Sequence, residues 1–242
     1  MKERDDNNRT WWVVVSYAAA MAWVESAVVV YLRTMIDRID PYQADPLPVS
    51  GAMAALGRIE MGREAATLVM LVTMGMLAGR SGRSRWAYAL LGFGLWDIFY
   101  YVWLKLMAGW PSSLLSWDIL FLLPLPWWGP VLAPVAISLL LIGGSMLVIG
   151  LDRLGAKVLH GRLTWIMAAG GVVLALYLFM SDTLASAAGG VAAIRTVLPV
   201  VFNWPLFALA LGLMAAPVVQ LASVAVKAGR KASFFQSAAR TL

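Results

Sequence analysis

Runs of about 20 apolar residues recur along the whole chain, and they constrain its fold more than any other feature. A helix rises about 1.5 Å per residue, so each run matches the roughly 30 Å hydrocarbon thickness of a bilayer. The expected fold is all-α, a polytopic membrane helix bundle with six transmembrane helices. Of the 242 residues, 61% are hydrophobic and 13% charged, against about 25% charged in soluble domains. No soluble domain is left over, so residues 1–242 are expected to form a single transmembrane domain in contact with the lipid bilayer.

The six spans are expected at about 11–32, 54–77, 86–107, 130–151, 163–185 and 200–226. The first apolar run is about 22 residues long and follows the mixed charge of MKERDDNNR. A cleaved signal peptide has a shorter apolar region and a small-residue cleavage site, so this run reads as an uncleaved first span.

Lys2, Arg4, Arg9, Arg80, Arg83, Arg85, Arg153, Lys157, Arg162, Lys227, Arg230, Lys231 and Arg240 fall on one side of the alternation. Arg33, Arg38, Arg58, Arg63, Lys105 and Arg195 fall on the other side or in its flanking spans. The richer side belongs in the cytoplasm by the positive-inside rule. Both termini are therefore expected to be cytoplasmic, in a cell membrane of the bacterial inner-membrane type.

The formal net charge of +6 is spread in short clusters between apolar runs, so it reads as a topology signal and not as a nucleic-acid surface. Cysteine is absent, which excludes disulfides, thiolate catalysis, iron–sulfur clusters and cysteine-ligated zinc. His160 is the sole histidine, so a bis-histidine haem is excluded as well.

Between spans 3 and 4, Pro111, Pro124, Pro126, Pro130 and Pro134 would interrupt any continuous helix. A short interfacial or re-entrant element is expected there, with Ser116 capping a short helix from about Trp117 and Asp118. Trp110, Trp117, Trp127 and Trp128 fit an aromatic belt at the headgroups. Spans 4 to 6 carry small residues, with Ala208, Gly212 and Ala216 at four-residue spacing and Gly143, Gly144, Gly170 and Gly171 as further points of close approach. No internal repeat of the kind found in many secondary transporters is visible.

The functional signal lies in spans 1 to 3, where Glu25, Glu60, Arg63, Glu64 and Asp97 fall inside apolar runs. Each charge at such depth costs at least about 2.5 kcal/mol, so these side chains face an interior, a partner or water. By topology Glu25, Glu64 and Asp97 lie roughly 10 to 15 Å below the outer helix ends, so all five are expected in the outer half of the bilayer. Glu60, Arg63, Glu64 and Thr67 share one helix face. Gly94, Asp97, Tyr101 and Lys105 form a stripe on span 3, beside Tyr100, and the two stripes are expected to face each other inside the bundle.

The carboxyls outnumber Arg63, so some carry a proton, or a cation binds, or Arg58 and Lys105 reach in. Arg63 is the charge-pairing residue. Glu25, Glu60, Glu64 and Asp97 are the candidate metal ligands, and oxygen-only ligands suit Mg, Mn or Ca. Glu60, Glu64, Asp97 and Tyr101 are the candidate catalytic groups, for a hydrolase or transferase acting on a lipid-like substrate. Asp118, Asp182 and Asn203 either extend this region or are simply hydrated.

Two other classes stay open. One is a proton- or cation-coupled transporter. The other is an accessory subunit of a larger membrane complex or homo-oligomer, in which the acidic cluster is an internal lock and the tryptophans and small-residue faces meet partners.

Overall fold

The computed structural model describes the backbone of residues 2–43, 51–156, 161–190, 193, 197–199 and 201–238, and side chains within 9–43, 56–156, 161–190, 193, 197–199 and 201–227. Lys157, His160, Arg195, Val200 and Arg240 lie outside the described residues, as do the side chains of Lys2, Arg4, Arg230 and Lys231.

Six long helices follow in order: α1 (Lys2–Met35), α2 (Gly51–Ala78), α3 (Gly82–Ala108), α4 (Leu132–Arg153), α5 (Arg162–Ser186) and α6 (Trp204–Ala238). Each contains a stretch long and apolar enough to cross a membrane, so the chain is an integral membrane protein in contact with lipid. The stretches are Arg9–Met35, Leu56–Ala78, Gly82–Ala108, Leu132–Arg153, Arg162–Gly189 (α5 together with the 3-10 turn Ala187–Gly189 that continues it) and Trp204–Lys227, within a few residues of the expected spans. The starts move most, by four residues, in the third and the last, and in the last Asn203 Oδ1 accepts from the Leu206 N–H at 3.1 Å and fixes the first turn. Asn203, expected either to extend the polar region or to be simply hydrated, is exposed and makes this capping bond.

Local chemistry explains the other well-marked ends. Ser81 and Ser84 form a reciprocal capping box at the start of α3, with N···O distances of 3.0 and 2.9 Å. Gly109 ends α3 in the left-handed conformation (φ 70°), its N–H returning to the Lys105 carbonyl.

Between α3 and α4 the chain forms an antiparallel hairpin, β1 (Trp117–Phe121) and β2 (Trp127–Pro130), in place of the short helix expected from Trp117. The prolines at 124 and 126 leave too few residues for a stable helix, and the aromatic and branched residues beside them suit strands. Ser116 Oγ accepts from the Ser113 N–H in a turn and caps no helix.

Helix α3 is the hub of the first half, packed against α1, α2 and α4, while α4 also meets α6 and α6 meets α5. Gly94 allows the approach of α4, since a Cβ there would lie 2.8 Å from the Ser138 carbonyl oxygen. Gly171 does the same for α5 and α6, with the Ala210 oxygen 2.6 Å from such a Cβ. The neighbouring Gly170, and Gly143 and Gly212, have open space instead, so only part of the small-residue pattern is used within the chain. Ala208 and Gly212 are exposed on α6.

Candidate functional site

Arg63 on α2 is the centre of one group of charged side chains. It forms ion pairs with Glu25 of α1 and with Glu60 one turn earlier on its own helix, the Nε–Glu60 Oε1 distance being 2.8 Å. Thr67, one turn further along α2, donates to Glu25 Oε2 at 3.2 Å. The common face of Glu60, Arg63 and Thr67 thus turns toward α1. The Arg63 and Glu60 side chains keep 22% and 16% exposure, so one side of this group is open.

Glu64 faces another way. Both of its carboxylate oxygens lie within 3.1 Å of the Leu122 N–H, at the end of β1. A two-stranded hairpin leaves backbone groups unpaired along its edges, and a buried one needs partners for them. Glu64 supplies one, and Thr183 of α5 supplies another by donating to the Pro126 carbonyl at 2.8 Å. Glu64 is 7% exposed and Thr183 is fully buried.

The hairpin also carries a charge of its own. Asp118 is fully buried and accepts from Arg33 Nη2 of α1 at 2.6 Å and from the Ile119 N–H at 2.9 Å, both on Oδ1. Arg33 Nη1 donates to the Ile39 carbonyl at 3.2 Å, and the guanidinium lies 4.2 Å over the Trp110 ring. Burial holds the Asp118 carboxyl above its ordinary range, and Arg33 offsets this only in part. The Tyr101 hydroxyl is turned toward the same carboxylate, whose Oδ2 has no hydrogen bond of normal geometry.

The hydrated setting considered for Asp118 does not hold, because β1 and the end of α1 enclose it. Nor do the tryptophans stand out as a belt. Trp110 and Trp128 are buried, Trp117 lies between Tyr42 and Phe202, and Trp127 stacks on Phe179 at 6.4 Å between ring centres. Their rings fasten the hairpin to α3, α5 and the segment before α6. Tyr42 adds a hydrogen bond to the Pro199 carbonyl at 2.8 Å.

Asp97 lies within electrostatic reach of Asp118 and Tyr101 but takes its hydrogen bond from a different helix. It accepts from Ser138 of α4 at 2.8 Å, on the same α3 face as Gly94. The stripes of α2 and α3 therefore do not oppose each other: one meets α1 and the hairpin, the other meets α4 and Trp110. Lys105 turns away from the acids, its ammonium donating to the Gly109 and Pro111 carbonyls, and Arg58 is exposed. Asp182 is partly buried on α5.

Of the residues singled out from the sequence, the structure joins Glu25, Glu60 and Arg63, places Glu64 on the hairpin, and sets Asp97 and Tyr101 in other contacts. Among the described residues, no three His, Asp or Glu side chains converge to hold a metal ion. Sequence reasoning missed the pairing of Arg33 with Asp118 and the supporting roles of Thr183 and Ser138. One signal was available, since Arg33 closes an apolar helix and so needs a partner near that end. No family model, curated protein or solved structure matches the chain.

Proposed function

We propose that the chain is an N-in/C-in membrane protein whose internal charges hold a re-entrant hairpin on the outer side, and that it serves as an accessory subunit of a larger membrane assembly. The observation that carries this reading is the use of the internal acids: Glu64 bonds the hairpin, Asp118 ties the hairpin to Arg33, Glu25 and Glu60 bond Arg63, and Asp97 bonds Ser138. Polar groups inside a membrane protein that are engaged in this way stabilise irregular backbone which lipid alone would not tolerate. The exposed Ala208 and Gly212 on α6 give a partner helix a place for close approach.

Photocrosslinking from position 212 in native membranes, followed by native gel electrophoresis, tests the subunit reading. A protein adduct and a co-migrating complex are expected. A chain that migrates alone and crosslinks only to lipid would remove it. Labelling of single cysteines at residues 115 and 230 by a membrane-impermeant thiol reagent tests orientation, with residue 115 expected to react in intact cells and residue 230 only after lysis.

One observation favours a second reading. The carboxyls of Glu25, Glu60, Glu64, Asp97 and Asp118 outnumber the guanidiniums of Arg33 and Arg63, and the Arg63 group is open on one side. A divalent cation such as Mg, Mn or Ca bound beside Glu60 would balance that surplus. Elemental analysis of purified wild type against Glu60→Gln decides it: stoichiometric metal that falls in the variant supports the cation, and metal-free wild type eliminates it.

A further inference from the structure

The end of the bundle opposite the hairpin carries exposed Arg80, Arg83 and Arg85 around the α2–α3 turn and exposed Arg153 at the close of α4. These arginines are brought together by a specific contact. Ser81 Oγ donates to Asp152 Oδ2 at 2.7 Å, which draws the end of α4 against the turn and directs that carboxylate at a serine. Arg153 Nη2 donates to the Tyr88 hydroxyl at 3.1 Å and Arg85 Nε to the Gly79 carbonyl at 3.3 Å, each bond using one guanidinium nitrogen. The remaining N–H groups of such a fork match a phosphate in geometry and charge.

The face below the arginines is equally specific. Arg83, Trp86 and Leu90 are spaced at i, i+3 and i+7, so they share one side of α3. All three are exposed, Trp86 at 57% and Leu90 at 43%. From the helix end inward this face presents a cation, an indole and an alkyl chain. That is the order of phosphate, glycerol region and acyl chain in a phospholipid.

We propose that the α2–α3 turn and the adjoining end of α4 bind the phosphate headgroup of an anionic phospholipid, with an acyl chain along the Arg83–Trp86–Leu90 face of α3. Each arginine within reach of the bound headgroup is worth roughly a fivefold gain in affinity for it, and a basic residue beyond a Debye length adds little. Native mass spectrometry of the full-length protein in detergent, given equal amounts of dioleoylphosphatidylglycerol and dioleoylphosphatidylcholine, tests the site. Wild type is expected to retain the phosphatidylglycerol at least about 25-fold better, and the Arg80→Gln/Arg83→Gln pair is expected to lose about 25-fold. Arg83 makes no hydrogen bond among the described residues, so Arg83→Gln alone, expected to lose about fivefold, checks that the loss does not come from misfolding.

The control is Arg162→Gln/Lys227→Gln, which removes the same charge from α5 and α6 at the same end of the bundle. It is expected to leave retention nearly unchanged. An equal loss in the two pairs, or no headgroup preference in wild type, overturns the proposal in favour of diffuse attraction. Excess inorganic phosphate is expected to leave the lipid bound, because it cannot occupy the Trp86–Leu90 face. Full displacement by phosphate would overturn the lipid site and point to a free-anion site.

Discussion

In α1, α2 and the hairpin, the contacts that set relative position run through charge: Arg63 between Glu25 and Glu60, Arg33 on Asp118, Glu64 on the Leu122 N–H. In α5 and α6 they run mostly through ring faces and one glycine, with Phe179 stacked on Trp127 and Phe202 and with Gly171 against the Ala210 carbonyl, beside a hydrogen bond between the two helices from Thr164 to Gln220 at 3.3 Å. Lipid tails are as apolar as leucine, so helices gain little from hiding apolar surface from each other in a membrane. The second half is therefore held mainly by fit. The first half has the added task of supporting non-helical backbone, and hydrogen bonds with defined direction meet it.

The comparison breaks most readily at Arg33. Removing it strands a fully buried carboxylate, and Arg33→Ala is expected to cost about 3 to 5 kcal/mol. Thermal unfolding of the purified protein in detergent measures this. Adding Asp118→Asn to Arg33→Ala should recover part of the loss, and no recovery would mean that the charge is not what matters. Arg63→Ala, which strands Glu25 and Glu60 together, is expected to fall slightly below Arg33→Ala, because its group is partly open.

The second half is tested by two adjacent glycines. Gly171→Leu is expected to cost about 1 to 3 kcal/mol by prying α5 from α6, whereas Gly170→Leu, facing open space, should stay within about 0.5 kcal/mol of wild type. Equal effects on the melting temperature would contradict packing by fit. The smallest contrast is at Glu64. Glu64→Gln keeps an acceptor for the Leu122 N–H and is expected to cost under about 1 kcal/mol, while Glu64→Leu leaves that donor unmet and should cost about 1 to 3 kcal/mol. Exchange of the Leu122 amide with deuterium should accelerate in Glu64→Leu and stay near wild type in Glu64→Gln.

The spans were legible because length and apolarity alone define them, and their bounds moved by only a few residues. The hairpin was not, because a short aromatic run flanked by prolines fits a helical turn as well as a strand until tertiary contacts decide. The acidic residues of α1 and α2 were legible as a group through their depth and spacing. Their division was not: spacing puts Glu60 and Glu64 on one broad face, yet one meets a guanidinium and the other a backbone amide. Asp97 was drawn into the same group by depth, and its separation depends on the side of α3 that Gly94 opens to α4. The partnership of Arg33 and Asp118 joins positions far apart in sequence, each plausible alone as an interfacial charge.

The order in which the hairpin's supports leave the ribosome follows from where they lie. Arg33 and Glu64 precede the hairpin, whereas Thr183 and Pro199 come after it. While the chain is being made, the first three helices must wait with a guanidinium and a carboxylate unmatched until residues 118 to 122 emerge. The hairpin in turn remains half supported until α5 and the segment beyond it arrive. Biosynthesis of this protein is thus a sequence of deferred bonds, and an insertion factor that shelters α1 and α2 early would shorten the interval in which they stand exposed.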